Sequence, residues 1–447
     1  MFDKISKFMD EHLSTPMARL AEQRHLRAIR DGIIATLPII IVGSMFMVVA
    51  FLPNQMPADW AISQFINANI GKILLPYRMS MFIMTLYAVF GIGYSLAKSY
   101  KLDGLSGGIL AEMAFLLTIV PASVPKANEA VMALAKESSD LANYLATVKT
   151  GWVISMGNLG SAGLFVGIIS AFFAVEVYRL TQTTNFKISM PPQVPTSVAR
   201  SFESLTPTAI VLIVVATITM FLGIDLHSIA GAIVKPLISG TDSLWAVLVI
   251  CLLGMFFWTF GIHGWSIVGS LARPLWTIMI EKNAAEYAAG NAIPHIAAEP
   301  FFQWFIMIGG AGCTIGLALL FLFRAKSKYG KTLGKTAFLP SIFNINEPMI
   351  FGAPIVLNPI LMIPFIVTPL LCASIAWVAT KLHLVNQVVA IAPWTLPGPI
   401  GAYFATGADW RAAVLSILLI ALSAFIYYPF FKMYDNKLLK EEQGEVK

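Results

Sequence analysis

The chain has 447 residues, of which 57% are hydrophobic and 12% are charged, and its formal net charge is +6. Soluble domains have about a quarter of their residues charged, so this composition excludes an ordinary soluble protein and indicates a polytopic membrane protein. The basic residues fall mainly between apolar runs, which argues against nucleic-acid binding, and the absence of strand-like alternation argues against an outer-membrane barrel.

Uncharged runs long enough to cross a bilayer recur along the chain, since a membrane-spanning helix needs about 20 mainly apolar residues. The sequence predicts an all-α polytopic membrane protein with about ten transmembrane helices, two re-entrant hairpins and interfacial amphipathic helices. The predicted spans lie near residues 32–52, 79–97, 105–121, 155–178, 207–224, 243–263, 265–290, 303–323, 348–380 and 412–431.

Three segments are predicted to lie on the membrane surface. Apolar residues within 2–13 recur at helical spacing, which indicates a short amphipathic helix, although a loosely ordered tail fits as well. Segments 181–206 and 225–242 join spans and are interpreted as interfacial.

Loop charge predicts that both termini are cytoplasmic. Residues 1–30 hold six Lys and Arg, residues 324–335 hold five, and residues 432–447 hold four. Cytoplasmic loops carry an excess of such residues. If the first two basic segments are both cytoplasmic, the chain must cross the membrane an even number of times between them. This requires a further span at 265–290. Because that span contains Arg273 and Glu281, it should face protein rather than lipid.

Two apolar segments are broken by proline and contain polar groups. They are "NAIPHIAAEPFF" at 291–302 and "TAFLPSIFNINEPMIFGAP" at 336–354. Irregular backbone at membrane depth survives only where it is buried in protein or lines a wet cavity. Because a discontinuous pair of this kind points to a transporter's binding site, both segments are predicted to be re-entrant hairpins.

Glu347 is the leading candidate for binding. Pro348 disfavours the α conformation at the residue before it, so Glu347 is predicted at a helix break where backbone groups are available to a ligand. A buried carboxylate is costly without partners, and sugar hydroxyls suit it because a carboxylate accepts several hydrogen bonds. The alternative is a structural carboxylate paired with Arg273 or with a backbone amide.

Two further stretches hold candidates. His263 precedes Gly264 at a predicted turn between two spans, and an imidazole can both donate and accept hydrogen bonds; the alternative is a histidine that caps a helix. Trp394, in "APWTLPGPIG", can present its indole to the apolar face of a sugar ring or can belong to the interfacial tryptophan belt. Glu299 and His295 are weaker candidates.

No metal, cofactor or catalytic site is predicted. The three cysteines, Cys251, Cys313 and Cys372, lie singly inside apolar runs, without the spacing of a metal site or a disulfide framework. Neither a phosphate-binding loop nor a nucleophile elbow occurs in the sequence.

Four stretches resemble the lactose/cellobiose family of phosphotransferase-system enzyme IIC permeases. They are "AEQRHLRAIRDG" (21–32), "FGIHGW" (260–265), "FNINEPMIFGAPIVLNP" (343–359) and "PWTLPGPIG" (393–401). The resemblance runs nearly end to end, and the motif containing Asn-Glu-Pro is its most specific part. It implies a sugar permease of the bacterial inner membrane that forms a homodimer. The implied dimer contact lies in the N-terminal half (1–203) and the implied sugar site in the C-terminal half (204–447).

The same resemblance implies which residues bind the substrate. The family's histidine, glutamate and tryptophan match His263, Glu347 and Trp394, and the asparagine beside the glutamate matches Asn346. Asn291 precedes the first hairpin, at a position where relatives often carry a different polar residue.

The implied function is translocation of a β-linked disaccharide of the cellobiose or diacetylchitobiose class. In this family a phosphocysteine on a separate IIB protein phosphorylates the 6-hydroxyl, so the chain is expected to be the permease subunit. Glu347 or His263 then orients that hydroxyl or takes its proton, or both only position the sugar. The alternative is an ion-coupled secondary sugar transporter in which Glu347 is a proton-coupling site.

Overall fold

Helices dominate the fold. A computed structural model describes residues 23–191, 193–259, 263–356 and 358–443, so the predicted amphipathic helix at residues 2–13 lies outside the described residues. The α-helices are Arg24–Phe51 (α1), Ala61–Ile73 (α2), Leu75–Ser80 (α3), Met84–Ser99 (α4), Gly104–Leu116 (α5), Glu129–Glu137 (α6), Ser139–Thr147 (α7), Leu164–Thr183 (α8), Thr196–Glu203 (α9), Leu205–Ala216 (α10), Leu226–Thr241 (α11), Leu244–Thr259 (α12), Gly264–Ala288 (α13), Glu299–Phe305 (α14), Ile315–Arg324 (α15), Lys328–Ile342 (α16), Glu347–Gly352 (α17), Pro359–Lys381 (α18), Gly398–Ala405 (α19) and Trp410–Glu442 (α20).

The predicted multi-pass, all-α class is confirmed. Among the described residues, six helical segments are long and apolar enough to cross a bilayer, and a seventh is obtained if α11 and α12, which meet at a bend of 77°, count as one span. The predicted total of about ten also counts helices that are too short for this test, such as α5 with 13 residues and α15 with 10. The additional crossing inferred from loop charge at 265–290 coincides with α13, which has 25 residues but is not among these apolar segments, so this crossing stays a prediction.

The predicted continuous span at 303–323 is wrong. Helix α14 ends at Phe305 and α15 begins at Ile315, and between them Gly309, Gly310 and Gly312 have φ values of 75°, 95° and 81°. Such left-handed backbone interrupts a helix and favours glycine. A Cβ atom added to Gly310 would lie 2.3 Å from Cγ of Asn346, so this glycine loop also allows two chain segments to approach closely.

The basic segment 324–335 is mostly helix rather than loop. Helix α16 begins at Lys328, only a few residues after α15 ends, because the C-terminal helix α20 supplies caps for its first N–H groups. The Asp435 carboxylate accepts from the backbone N–H of Lys326 at 2.7 Å and from Oγ of Ser327 at 2.6 Å. Glu442 of the same helix accepts from the next two backbone N–H groups, at 2.9 Å each. These bonds satisfy donors that a helix start otherwise leaves without partners.

Residues 122–153 form a small segment of two strands and two helices that the sequence analysis did not predict. The strands Ala122–Val124 (β1) and Gly151–Val153 (β2) pair antiparallel, with Ser123 opposite Trp152. Helices α6 and α7 lie between them in the chain.

The contacts divide the chain into two compact units. One contains the residues up to Met84 together with Ala232–Lys447, and the other contains Thr85–Gly231. The core of the first unit is rich in large aromatic side chains, among which Trp276, Trp304 and Phe302 are fully buried. The predicted division into an N-terminal half (1–203) for dimer contact and a C-terminal half (204–447) for sugar binding stays a prediction.

We predict that Asp435→Asn lowers the stability of the first unit by about 1–3 kcal/mol, because an amide offers one acceptor atom where the buried carboxylate offers two. Asp435 is 3% exposed and its two oxygens accept from three donors. The measurement is the thermal unfolding midpoint of the purified protein in detergent. Asp59→Asn, at an exposed position, is the matched control, and equal midpoints for the two variants would contradict the prediction.

Candidate functional site

A cavity of about 360 Å³ lies within the unit that contains α1 and α12 to α20. This volume is within the range of pockets that hold small molecules, about 300–1,000 Å³. The polar side chains that line it are those of Arg30, His263, Ser266, Arg273, Glu299, Gln303, Asn344, Asn346 and Glu347, and its large aromatic side chains are Trp258, Trp265, Trp276, Phe302 and Trp394.

Four of the five predicted binding residues line this one cavity. They are His263, Asn346, Glu347 and Trp394. The structure does not bring Asn291 to them. Its side chain is exposed and donates to Oε2 of Glu286 at 2.9 Å.

Glu347 stands at the predicted helix break. Helix α16 ends at Ile342, and α17 begins at Glu347 with Pro348 in its first turn. The side chain of Glu347 is exposed to the cavity, and the described residues offer its carboxylate neither a hydrogen-bond donor nor an ion pair. The expected alternative, a pair with Arg273, is not observed. The carboxylate is therefore available to a guest.

Arg273 is instead paired with Glu299. The guanidinium Nε lies 3.1 Å and 3.2 Å from the two carboxylate oxygens, and Nη2 lies 2.7 Å from Oε1. The two side chains are 19% and 28% exposed. Such a bidentate geometry is the strong form of this interaction, and it joins α13 to the start of α14. Arg273, in the predicted span at 265–290, thus faces protein, as predicted.

His263 has the two roles that the sequence left as alternatives. It caps α13, since its Nδ1 accepts from the backbone N–H of Ser266 at 3.1 Å, and it also lines the cavity. A ring nitrogen that accepts a backbone N–H carries no proton, so neutral His263 has its proton on Nε2. That N–H is the donor available to a guest, and the charge of Glu347 acts on the same ring.

Gly264 allows the start of α13 to lie close to α12. A Cβ atom added to Gly264 would lie 2.0 Å from the carbonyl oxygen of Gly254. Only glycine therefore allows the start of α13 to pack against α12, and this contact sets the position of His263.

Asn344 braces the second hairpin. Its Oδ1 accepts from the backbone N–H of Gly309 at 2.8 Å, and its Nδ2 donates to the carbonyl oxygens of Trp394 and Leu396 at 2.7 and 2.9 Å. Asn344 itself has a φ of 61°, a conformation that asparagine adopts more readily than most residues. It holds three irregular segments together.

The side-chain NH2 group of Asn346 donates both of its hydrogen bonds within the protein. Its Nδ2 donates to the carbonyl oxygen of Ala311 at 2.6 Å and to Oγ1 of Thr314 at 2.9 Å, and the residue is 4% exposed. Its amide oxygen has no donor among the described residues, so any contact with a guest would use that acceptor.

The backbone of Trp394 is hydrogen-bonded, whereas its side chain is exposed. Its carbonyl oxygen accepts from Asn344, while the residue is 54% exposed and lines the cavity. A rigid backbone with an exposed indole suits stacking on an apolar ligand face.

Sequence reasoning missed three polar lining residues, namely Arg30, Ser266 and Gln303. Gln303 lies on α14, is partly buried, and has no hydrogen-bond partner among the described residues. A single polar residue within the apolar stretch "PFFQWFIMIGG" was the available signal. The weaker candidate His295 is not among the lining residues; its Nδ1 lies 3.0 Å from Oδ2 of Asp242.

The sequence profile described as "Phosphotransferase system, EIIC" matches residues 30–369. The chain belongs to this family. It is 38% identical to the cellobiose-specific EIIC component of Geobacillus stearothermophilus over 99% of this chain and 97% of that protein. It is also 38% identical to the lichenan permease IIC component of Bacillus subtilis (strain 168), over 98% and 96% of the two chains.

A solved structure agrees with this membership. The crystal structure of the transporter ChbC, the IIC component of an N,N'-diacetylchitobiose-specific phosphotransferase system, superposes with a TM-score of 0.85 at 33% identity. The match covers 98% of this chain and 100% of that one. This EIIC chain is therefore a multi-pass membrane protein, and the cavity described above lies in a transporter fold.

We predict that Glu299→Gln destabilises this EIIC protein by roughly 3 kcal/mol, because it leaves the largely buried Arg273 guanidinium without its counter-charge. The double variant Arg273→Gln with Glu299→Gln should recover part of the loss, since neither buried charge then remains. Thermal unfolding in detergent measures both.

Glu441→Gln breaks the exposed pair with Lys437, whose side chains are 57% and 43% exposed, and serves as the control. It should leave the unfolding midpoint unchanged. A single Glu299→Gln variant as stable as this control would show that the pair at the cavity does not hold α14 in place.

Proposed function

We propose that this EIIC protein is the permease for a β-linked disaccharide of the cellobiose or diacetylchitobiose class, which a separate IIB protein phosphorylates on its 6-hydroxyl. The observation that carries the proposal is that the carboxylate of Glu347, which has no partner among the described residues, lies in a cavity that His263 and Trp394 also line. The names of the relatives, which include cellobiose- and diacetylchitobiose-specific components, support this substrate class.

The three groups match the surface of a sugar. The Glu347 carboxylate accepts hydrogen bonds from hydroxyls, and His263 donates one through Nε2. Trp394 stacks on the apolar face of a pyranose ring. Asn346 contributes its amide oxygen, and Asn344 positions the segment around Trp394. Asn291 is left out of this proposal because it does not line the cavity.

The proposal extends to the assembly and its orientation. We propose a homodimer that forms through the N-terminal half (1–203) in the bacterial cell membrane, with both termini cytoplasmic. The basic residues of 324–335 support this orientation. Helix α16 carries most of them.

We predict that Glu347→Gln weakens disaccharide binding by about 10- to 100-fold, because charge-assisted hydrogen bonds contribute about 1.5–3 kcal/mol. Binding of radiolabelled cellobiose, diacetylchitobiose and lactose to the purified protein measures this loss and ranks the substrates. Asn291→Ala, at a polar position outside the cavity, should bind as the wild type does. Unchanged binding by Glu347→Gln would contradict the proposed site.

The same variant tests whether Glu347 takes a proton from the 6-hydroxyl. At saturating sugar, a phosphorylation rate lowered by a further factor of about 10²–10⁴ would indicate a general base. A wild-type rate at saturation would indicate that Glu347 only positions the sugar.

Uptake by membrane vesicles separates a phosphotransferase permease from an ion-coupled transporter. We expect vesicles to accumulate the sugar as its phosphate ester when the phosphorylated IIB protein is present, and to accumulate none when it is absent. Accumulation of unmodified sugar under a proton or sodium gradient alone would favour the ion-coupled alternative. Vesicles without this chain provide the background.

A further inference from the structure

The unit Thr85–Gly231 contains a second polar cavity, of about 390 Å³. The helices that line it differ from those that line the cavity around Glu347. It lies where α4 ends and α5 begins, beside α8 and α9. The side chains that define it are Lys98, Lys101, Asp103, Tyr178, Arg200 and Glu203.

Both carboxylates of this cavity already have partners. Asp103 caps α5 by accepting from the backbone N–H and from Oγ of Ser106, at 2.8 Å each, and it accepts from Nη1 of Arg200 at 3.1 Å. The bond from the Ser106 backbone N–H is the main cause of a lowered pKa at Asp103, so this carboxylate stays charged at neutral pH. Glu203 accepts from Nζ of Lys187 at 3.0 Å.

The two lysines have no such partner. No carboxylate among the described residues forms an ion pair with the ammonium groups of Lys98 and Lys101. The Lys98 ammonium lies 5.8 Å from the centroid of the Tyr94 ring, and its charge is only the smallest of the causes that lower the pKa of Asp103. Two exposed cations therefore line a cavity whose acidic residues are already engaged.

The backbone holds these lysines together. Lys101 has a φ of 62°, which is uncommon for a residue other than glycine. Its N–H donates to the carbonyl oxygen of Lys98 at 2.9 Å, and the N–H of Leu102 donates to that of Ala97 at 3.0 Å. This turn ends α4 and keeps both lysines at one side of the cavity.

Exposed apolar side chains lie on the helices that border the cavity. Leu105 and Ile109 on α5 are 57% and 55% exposed, and Val198 and Phe202 on α9 are 42% and 38% exposed. Helix α9 also carries Arg200, so one short helix combines an apolar face with a cation, as surface-bound amphipathic helices do.

We propose that this cavity binds the phosphate of an anionic phospholipid headgroup, with Lys98 and Lys101 on the phosphate oxygens and the acyl chains along the exposed apolar side chains of α5 and α9. A soluble phosphate ester would satisfy the same lysines. The apolar border favours the lipid, because it is the part of the surface that a soluble ester would leave uncovered.

The test uses the purified full-length protein in detergent, titrated with dioleoylphosphatidylglycerol or dioleoylphosphatidylcholine and examined by native mass spectrometry. The two lipids have the same acyl chains and differ in headgroup charge. We expect Lys98→Gln with Lys101→Gln to raise the half-saturating phosphatidylglycerol concentration roughly 25-fold, since each lysine near an anionic surface contributes about fivefold in affinity. Binding of phosphatidylcholine should not change.

Lys126→Gln with Lys149→Gln is the matched control, because it removes the same charge from exposed lysines of the same unit that lie outside the cavity. Equal phosphatidylglycerol affinity of the two double variants would overturn the proposal. Complete displacement of the lipid by millimolar sn-glycerol 3-phosphate would overturn the choice of lipid over a soluble ester. Thermal unfolding of both variants in detergent checks that they are folded.

Discussion

Backbone groups released by a broken helix at membrane depth must find partners inside the protein, because lipid offers none. Two asparagines meet this requirement. Asn344 joins the glycine-rich loop after α14 to the segment around Trp394, and Asn346 joins the same loop to the start of α17. Because these bonds fix three irregular segments against one another, they also fix where the side chains of Glu347 and Trp394 meet the cavity.

The two hairpins begin their short helices in the same way, with a glutamate followed by a proline, yet their glutamates differ in chemistry. Glu299 is neutralised by Arg273 in a bidentate pair, whereas Glu347 has no partner among the described residues. A paired carboxylate holds structure together and offers little to a ligand. The contrast indicates a structural role for the first glutamate and supports the binding role that we propose for the second.

The same distinction applies in the unit Thr85–Gly231. Asp103 and Arg200 form an ion pair, while neither Lys98 nor Lys101 forms one with a carboxylate of the described residues. In each unit the groups already paired hold the helices, and the groups without partners are those that can recognise a ligand. The ligand chemistry then follows from the sign of the unpaired charge, with hydroxyl donors suited to a carboxylate and phosphate oxygens suited to ammonium groups.

The sequence by itself determined the membrane class, most of the spans, the two helix breaks and four of the cavity residues, because hydropathy and proline act over a few neighbouring residues. Only the tertiary structure decided that 303–323 is broken, since the left-handed glycines there depend on close contacts with other segments. It also decided that Asn291 lies outside the cavity, and which glutamate is free. Partners such as Arg273 and Glu299 are far apart in the chain, and they meet only when the helices pack.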